Sequence, residues 1–206
     1  MSITRALLRM VTVEALRGHR PAGTMVEDSS LTALDHRVTT DSAPVIVVYT
    51  DDRAGQPTGR GDALEEGTQE LVIEISAAGL VAMPDGDGET VVTPETDAGL
   101  ELTLDLIEAQ VIRRLTASHD EFPALWKAFV PRIVAVSSRR GASEDQTTRY
   151  AARQLVLTCE LLIDPPPGAP LEDGTAWARA LDALARGQYR ARQPLVQSAS
   201  CQPSAR

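Results

Sequence analysis

The chain has 206 residues, 43% of them apolar and 3% aromatic, with a formal net charge of −9 and a pI near 4.8. That length suits one domain whose core is built mainly from Val, Ile, Leu and Ala. The acidic balance excludes a protein that grips nucleic acid over a broad basic face and leaves room only for a local basic patch.

Ile3, Ala6, Leu7, Met10, Val11 and Leu16 follow helical spacing, with Ser2 as N-cap and Gly18 as stop, which predicts a helix over 2–17. Arg5 and Arg9 interrupt this segment, so no signal-peptide core is expected there. Residues 24–30 read as an extended segment and turn. Residues 44–50 are a near-continuous run of β-branched apolar residues, the pattern of a buried strand, and lead into Asp51 and Asp52. Residues 70–76 alternate, Leu71, Ile73 and Ile75 against Glu70, Val72, Glu74 and Ser76, which predicts a strand with one wetter face.

Between these strands lies a polar excursion over 53–69, rich in Gly, Asp, Glu and Arg and without periodicity. Long loops of this kind in a compact domain are usually binding loops or disorder. Residues 85–89 have turn composition. Leu100, Leu102, Leu104, Ile107, Val111, Ile112 and Leu115 form a broad apolar stripe, with acids early and Arg113 and Arg114 late, which predicts a helix over 97–117. A short helix follows over 122–129 and stops before Pro131. Strands are predicted over 132–139 and 149–163, with a turn at 141–147 and a stop at the prolines 165–167. A short helix over 175–186 and a polar tail complete the chain.

This order predicts an α+β fold: a single domain with a mainly antiparallel four-stranded sheet, helices on one face, and a long loop between the first two strands. The expected domain spans 1–165, and residues 166–206 form a C-terminal extension with a short helix and flexible tail.

The chemistry-bearing residues do not assemble into a catalytic motif. Asp51 and Asp52 read as a solvated strand end, because two carboxylates alone do not make a metal site. A nuclease of the Asp…Glu-x-Lys kind needs a lysine near the attacking water, yet Glu74 is followed two residues on by Ser76. Lys127 is the only lysine among twenty Lys and Arg residues and lies far along the chain. The acidic run 85–89 resembles the start of a calcium loop, but Thr96 stands where the bidentate glutamate belongs. His19, His36 and His119 are scattered, and Cys159 and Cys201 make no zinc spacing or disulfide framework. No Gly-x-Ser-x-Gly elbow or phosphate loop is present. No cofactor and no metal are expected. No apolar run approaches the roughly 20 residues of a membrane span. The expectation is a soluble protein made in the cytoplasm, working by surface and assembly. Candidate interface residues are Asp51, Asp52, Arg53, Arg60, Glu65 and Glu66 around the long loop, with Arg139, Arg140 and Arg149 flanking the last hairpin and Arg153 nearby. Long apolar strands also leave edges that a partner must cover.

The sequence of segments carries a resemblance over about residues 1–165. It comprises the N-terminal helix, the proline–apolar strand–Tyr49–Asp51–Asp52 segment, the hairpin partner at 70–76, the helix at 100–115, and the strand pair ending at 154–163. In that order and texture the chain resembles the tail terminator (tail completion) proteins of long-tailed bacteriophages, the lambda-like kind. The resemblance implies a structural, non-enzymatic virion protein, assembled in the host cytoplasm and sited at the tail–neck junction. It would form a hexameric ring that caps the tail tube, stops its polymerisation and meets the head–neck connector. DNA would pass its acidic channel without specific binding. The tail after Pro165 is longer than that family's core requires. Another neck, tail-tube or head–tail joining protein is the near alternative, and a small metal-dependent nuclease the alternative from a different class.

Overall fold

The computed structural model describes residues 2–17, 24–30, 44–54, 67–80, 97–144, 148–166 and 168–186. Within them the elements run α1 (Ile3–Arg17), β1 (Met25–Asp28), β2 (Val45–Ala54), β3 (Thr68–Leu80), α2 (Asp97–Ala117), α3 (Glu121–Phe129), β4 (Arg132–Glu144), β5 (Thr148–Glu160) and α4 (Ala176–Arg186). The class is α+β, with a five-stranded mixed sheet in the order β1-β2-β3-β5-β4. Only β1 and β2 pair in parallel.

The fifth strand corrects the four-strand expectation. β1 is four residues long with one buried apolar side chain, Val26, so it is too short to display alternation. Its strand character comes from its neighbour: the amides of Met25 and Ser29 donate to the carbonyls of Pro44 and Val48, each at 2.9 Å. The other strands are longer at their polar ends than expected. β2 continues through Asp51 to Ala54, β3 covers residues 68–80, and β4 continues to Glu144. β5 ends at Glu160, earlier than expected, and the Leu162 amide turns away to donate to the Phe129 carbonyl at 3.1 Å.

Alternation decides which sheet face is dry. Ile46, Val48, Leu71, Ile73, Ile75, Leu155, Leu157 and Cys159 belong to the core cluster together with α1 residues Leu7, Leu8 and Val11. Of the broad stripe read in sequence, α2 buries Leu100, Leu104, Ile107, Val111 and Leu115 at i, i+4, i+7 spacing, whereas Leu102 and Ile112 are 59% and 38% exposed. The opposite sheet face carries Val47, Tyr49, Val72, Gln154 and Val156, placed there by the register.

α1 starts at a two-part cap. Ser2 Oγ accepts from the Arg5 amide at 3.1 Å, and Asp164 Oδ1 accepts from the Thr4 amide at 2.9 Å. α4 joins the same core through Ala180, Ala183 and Leu184, and its Trp177 Nε1 donates to Thr4 Oγ1 at 2.8 Å. Residues 176–186 therefore share one core with the strands. No described helix is long and apolar enough to cross a membrane.

Candidate assembly interface

Two surface features hold sequence-predicted residues, and each is built by packing behind it. The first is the end of β2. Thr50 pairs with Leu71 and Arg53 with Gln69, so Asp51 and Asp52 together oppose Glu70. That two-against-one count is a β-bulge, which bends the strand and re-aims its side chains. A bulge leaves carbonyls without ladder partners, and here they are taken up from inside. The Gln69 side chain, only 3% exposed, donates its amide to the carbonyls of Asp51 and Asp52 at 3.0 Å each and to that of Glu70 at 3.1 Å. Arg5 Nη2 adds bonds to the carbonyls of Thr50 at 2.8 Å and Asp51 at 3.0 Å. With both backbones held inward, the Asp51 and Asp52 residues stand exposed.

Beside the bulge lies a cleft of about 600 Å³ whose lining includes Arg5, Arg53, Gln69, Leu161, Ile163 and Asp164. Burial alone would raise the Asp164 carboxyl. The bonds from Thr4 and Ser2 and the Arg53 charge outweigh it and hold the carboxyl below its usual range. Asp164 is thereby occupied as a helix cap. Burial also raises the Tyr49 phenol, although Gln154 Nε2 donates to its oxygen at 2.9 Å.

The second feature is β4, which with β1 forms the two edges of the described sheet and is hydrogen-bonded to β5 on one side. Ile133 pairs with Cys159 and Ala135 with Thr158, so Val134 is an extra, bulged residue. Val134 and Val136 are 46% and 57% exposed. The strand is fastened to α2 from the helical side. Arg140 Nε lies 2.5 Å from Glu101, and Ser138 Oγ donates to Glu108 at 3.1 Å. Arg153 on β5 sits among Glu101, Asp105 and Glu108. Burial would lower its pKa, but the bonds to Asp105 and Glu108 raise it above the ordinary arginine value. Leu102, Leu106 and Ile112 on α2 are exposed as well, and of these Ile112 continues the Glu101, Asp105, Glu108 line of the helix that faces β4.

Of the predicted residues, Asp51, Asp52 and Arg53 lie at the bulge, and Arg139 and Arg140 are exposed on β4. Arg149 falls on β5 in register with Glu144. Arg60, Glu65 and Glu66, and most of the expected 53–69 loop, lie outside the described residues. The two groups do not form one site. Three strand spacings separate β2 from β4, and Arg139 aligns with Glu74, five residues along from Gln69, so they stand roughly 20 Å apart.

Glu74 and Lys127 are not brought together either. Glu74 is in register with Val47 and Gln154, on the sheet face away from the core cluster. Lys127 Nζ donates to the Ser118 carbonyl at 2.7 Å beside the helices. Among the described residues no group of three His, Cys, Asp or Glu side chains is placed to hold a metal ion. Cys159 is buried, which pushes its thiol up to about 12 and makes it a poor nucleophile. Sequence reasoning missed Gln69, Arg5 and Asp164, and it grouped Arg153 with the hairpin arginines without its α2 partners. Their partners lie on other elements, and no local pattern marks them.

No protein-family model matches the chain, and no curated protein is significantly similar to it.

Proposed function

We propose that this chain is a structural assembly protein that caps a tubular polymer, in the manner of the tail terminators it resembles. In that reading it forms a ring, halts growth of the phage tail tube and offers its other face to the head–neck connector. One observation carries the reading. Most of the exposed large apolar side chains among the described residues lie on α2 and on an edge strand hydrogen-bonded on one side, while Asp164, Arg153 and Arg5 serve the fold as cap, clamp and bulge support. Such a surface is suited to contact: an open edge strand invites pairing, and Ile112 beside Val136 adds apolar area to it.

The test is the tube-length distribution by electron microscopy when tail-tube protein polymerises with and without this chain. Capping predicts shorter tubes whose mean length falls as the chain is added, with a ring at one end. Unchanged lengths and bare ends at a molar excess would overturn it. Light scattering across dilution reports in parallel whether the 22.1 kDa chain forms a closed oligomer.

A further inference from the structure

We propose that the β4 edge of one copy receives the β2 bulge of the next, so that Arg139 meets Asp51 and Asp52 across a head-to-tail contact. The inference rests on the ring reading and specifies which surfaces close it. A cyclic ring of one chain needs a heterologous interface, two different patches that complement one another. A patch that met itself would close a pair and stop.

The two features have this relation. β4 offers Val134 and Val136, with Ile112 of α2, as an apolar centre. Arg139 stands three residues further along the same strand, on the opposite sheet face in register with Gln154, exposed and without an ion pair among the described residues. The bulge offers Asp51 and Asp52, also exposed and without an ion pair there. Opposite charges across an interface set register and partner choice. Within one chain the groups cannot meet, because the sheet holds them roughly 20 Å apart. Both are held still: Ser138 and Arg140 fasten β4 to α2, and Gln69 and Arg5 fix the bulge. Preorganised surfaces lose less entropy on association. The occupant the charges select is therefore a second copy of this acidic chain.

Charge reversal tests the contact without disturbing the core, since all three side chains are exposed. The variants are Arg139→Glu, and Asp51→Arg combined with Asp52→Arg, each checked for an unchanged thermal midpoint. Light scattering on the full chain, with tube protein present, reads assembly. Each variant alone is expected to need about tenfold or more concentration to form rings, because like charges then face each other. An equimolar mixture is expected to recover assembly, each reversed patch meeting its reversed partner in an alternating ring. Rings in both single variants at the wild-type concentration would overturn this contact and leave the ring reading standing. Loss in both without recovery on mixing would overturn the pairing in the same way. A wild-type chain that stays monomeric with tube protein would overturn the ring reading and this inference together.

Discussion

Asp164 shows how one carboxylate ties distant parts of the chain together. It accepts from Ser2 Oγ and the Thr4 amide, both at 2.9 Å, and Thr4 Oγ1 in turn accepts from Trp177. The start of α1, the segment after β5 and α4 are thus joined through two neighbouring acceptors, Asp164 Oδ1 and Thr4 Oγ1. A negative charge at a helix N-terminus is also favoured by the helix dipole. Asp164→Ala is expected to cost about 1 kcal/mol, the usual value of a lost cap, and to lower the melting midpoint by roughly 2–4 °C. The sign with pH follows from the lowered pKa. The carboxylate's contribution is fully present above the unfolded aspartate value of about 3.9 and is lost as pH falls through the lower folded value. Asp164→Asn should therefore differ most from wild type near neutrality and converge on it in acid. Thermal melts at several pH values check this; a constant difference would show that the charge is irrelevant.

At the scale of elements, the strong periodicities were readable and the contacts between them were not. The helices at 97–117 and 122–129 needed only a stripe, acids early and a proline after, and α2 and α3 lie within a residue of those bounds. The strand ends were unreadable for a local reason: a bulge lets Asp51 and Asp52 remain in a strand whose alternation has lapsed. β1 was unreadable as a strand because its pairing comes from Val45–Val48, not from its own four residues. The α2–β5 clamp belongs to the same class. The acids of α2 read as a dipole complement, yet Glu101, Asp105 and Glu108 surround Arg153, whose side chain is 17% exposed. Arg153→Met keeps the stem and removes the charge, leaving three carboxylates close together. Because the clamp is partly wet, its loss is expected to cost about 1–2 kcal/mol, below the cost of breaking a fully buried pair. Urea unfolding measures this. No change in midpoint would mean that solvent already screens the cluster.

For the whole molecule, the open question is where the domain ends. The sequence suggests a boundary near the prolines at 165–167, and the chain after them reads as an extension. The packing distributes stability differently. Ala180, Ala183 and Leu184 lie in the cluster that includes Leu7, Leu8 and Phe129, and Trp177 bonds to the first turn of α1. Gly174, at a φ of 82°, makes the left-handed turn that delivers α4 to that position. Removing α4 would uncover one side of α1 and α3 while leaving the sheet intact. A chain ending at residue 170 is expected to lose about 3–5 kcal/mol, from the apolar area re-exposed and the lost Trp177 bond. Leu184→Ala, which leaves a cavity and removes nothing else, should lose about 2–3 kcal/mol. Urea midpoints of both, read against wild type, separate two arrangements. If the truncated chain matched wild type, α4 would be an appendage laid on a complete core. If both lost stability in that order, the helix closes the core, and α1, which carries Arg5 to the β2 bulge, depends on it for its position.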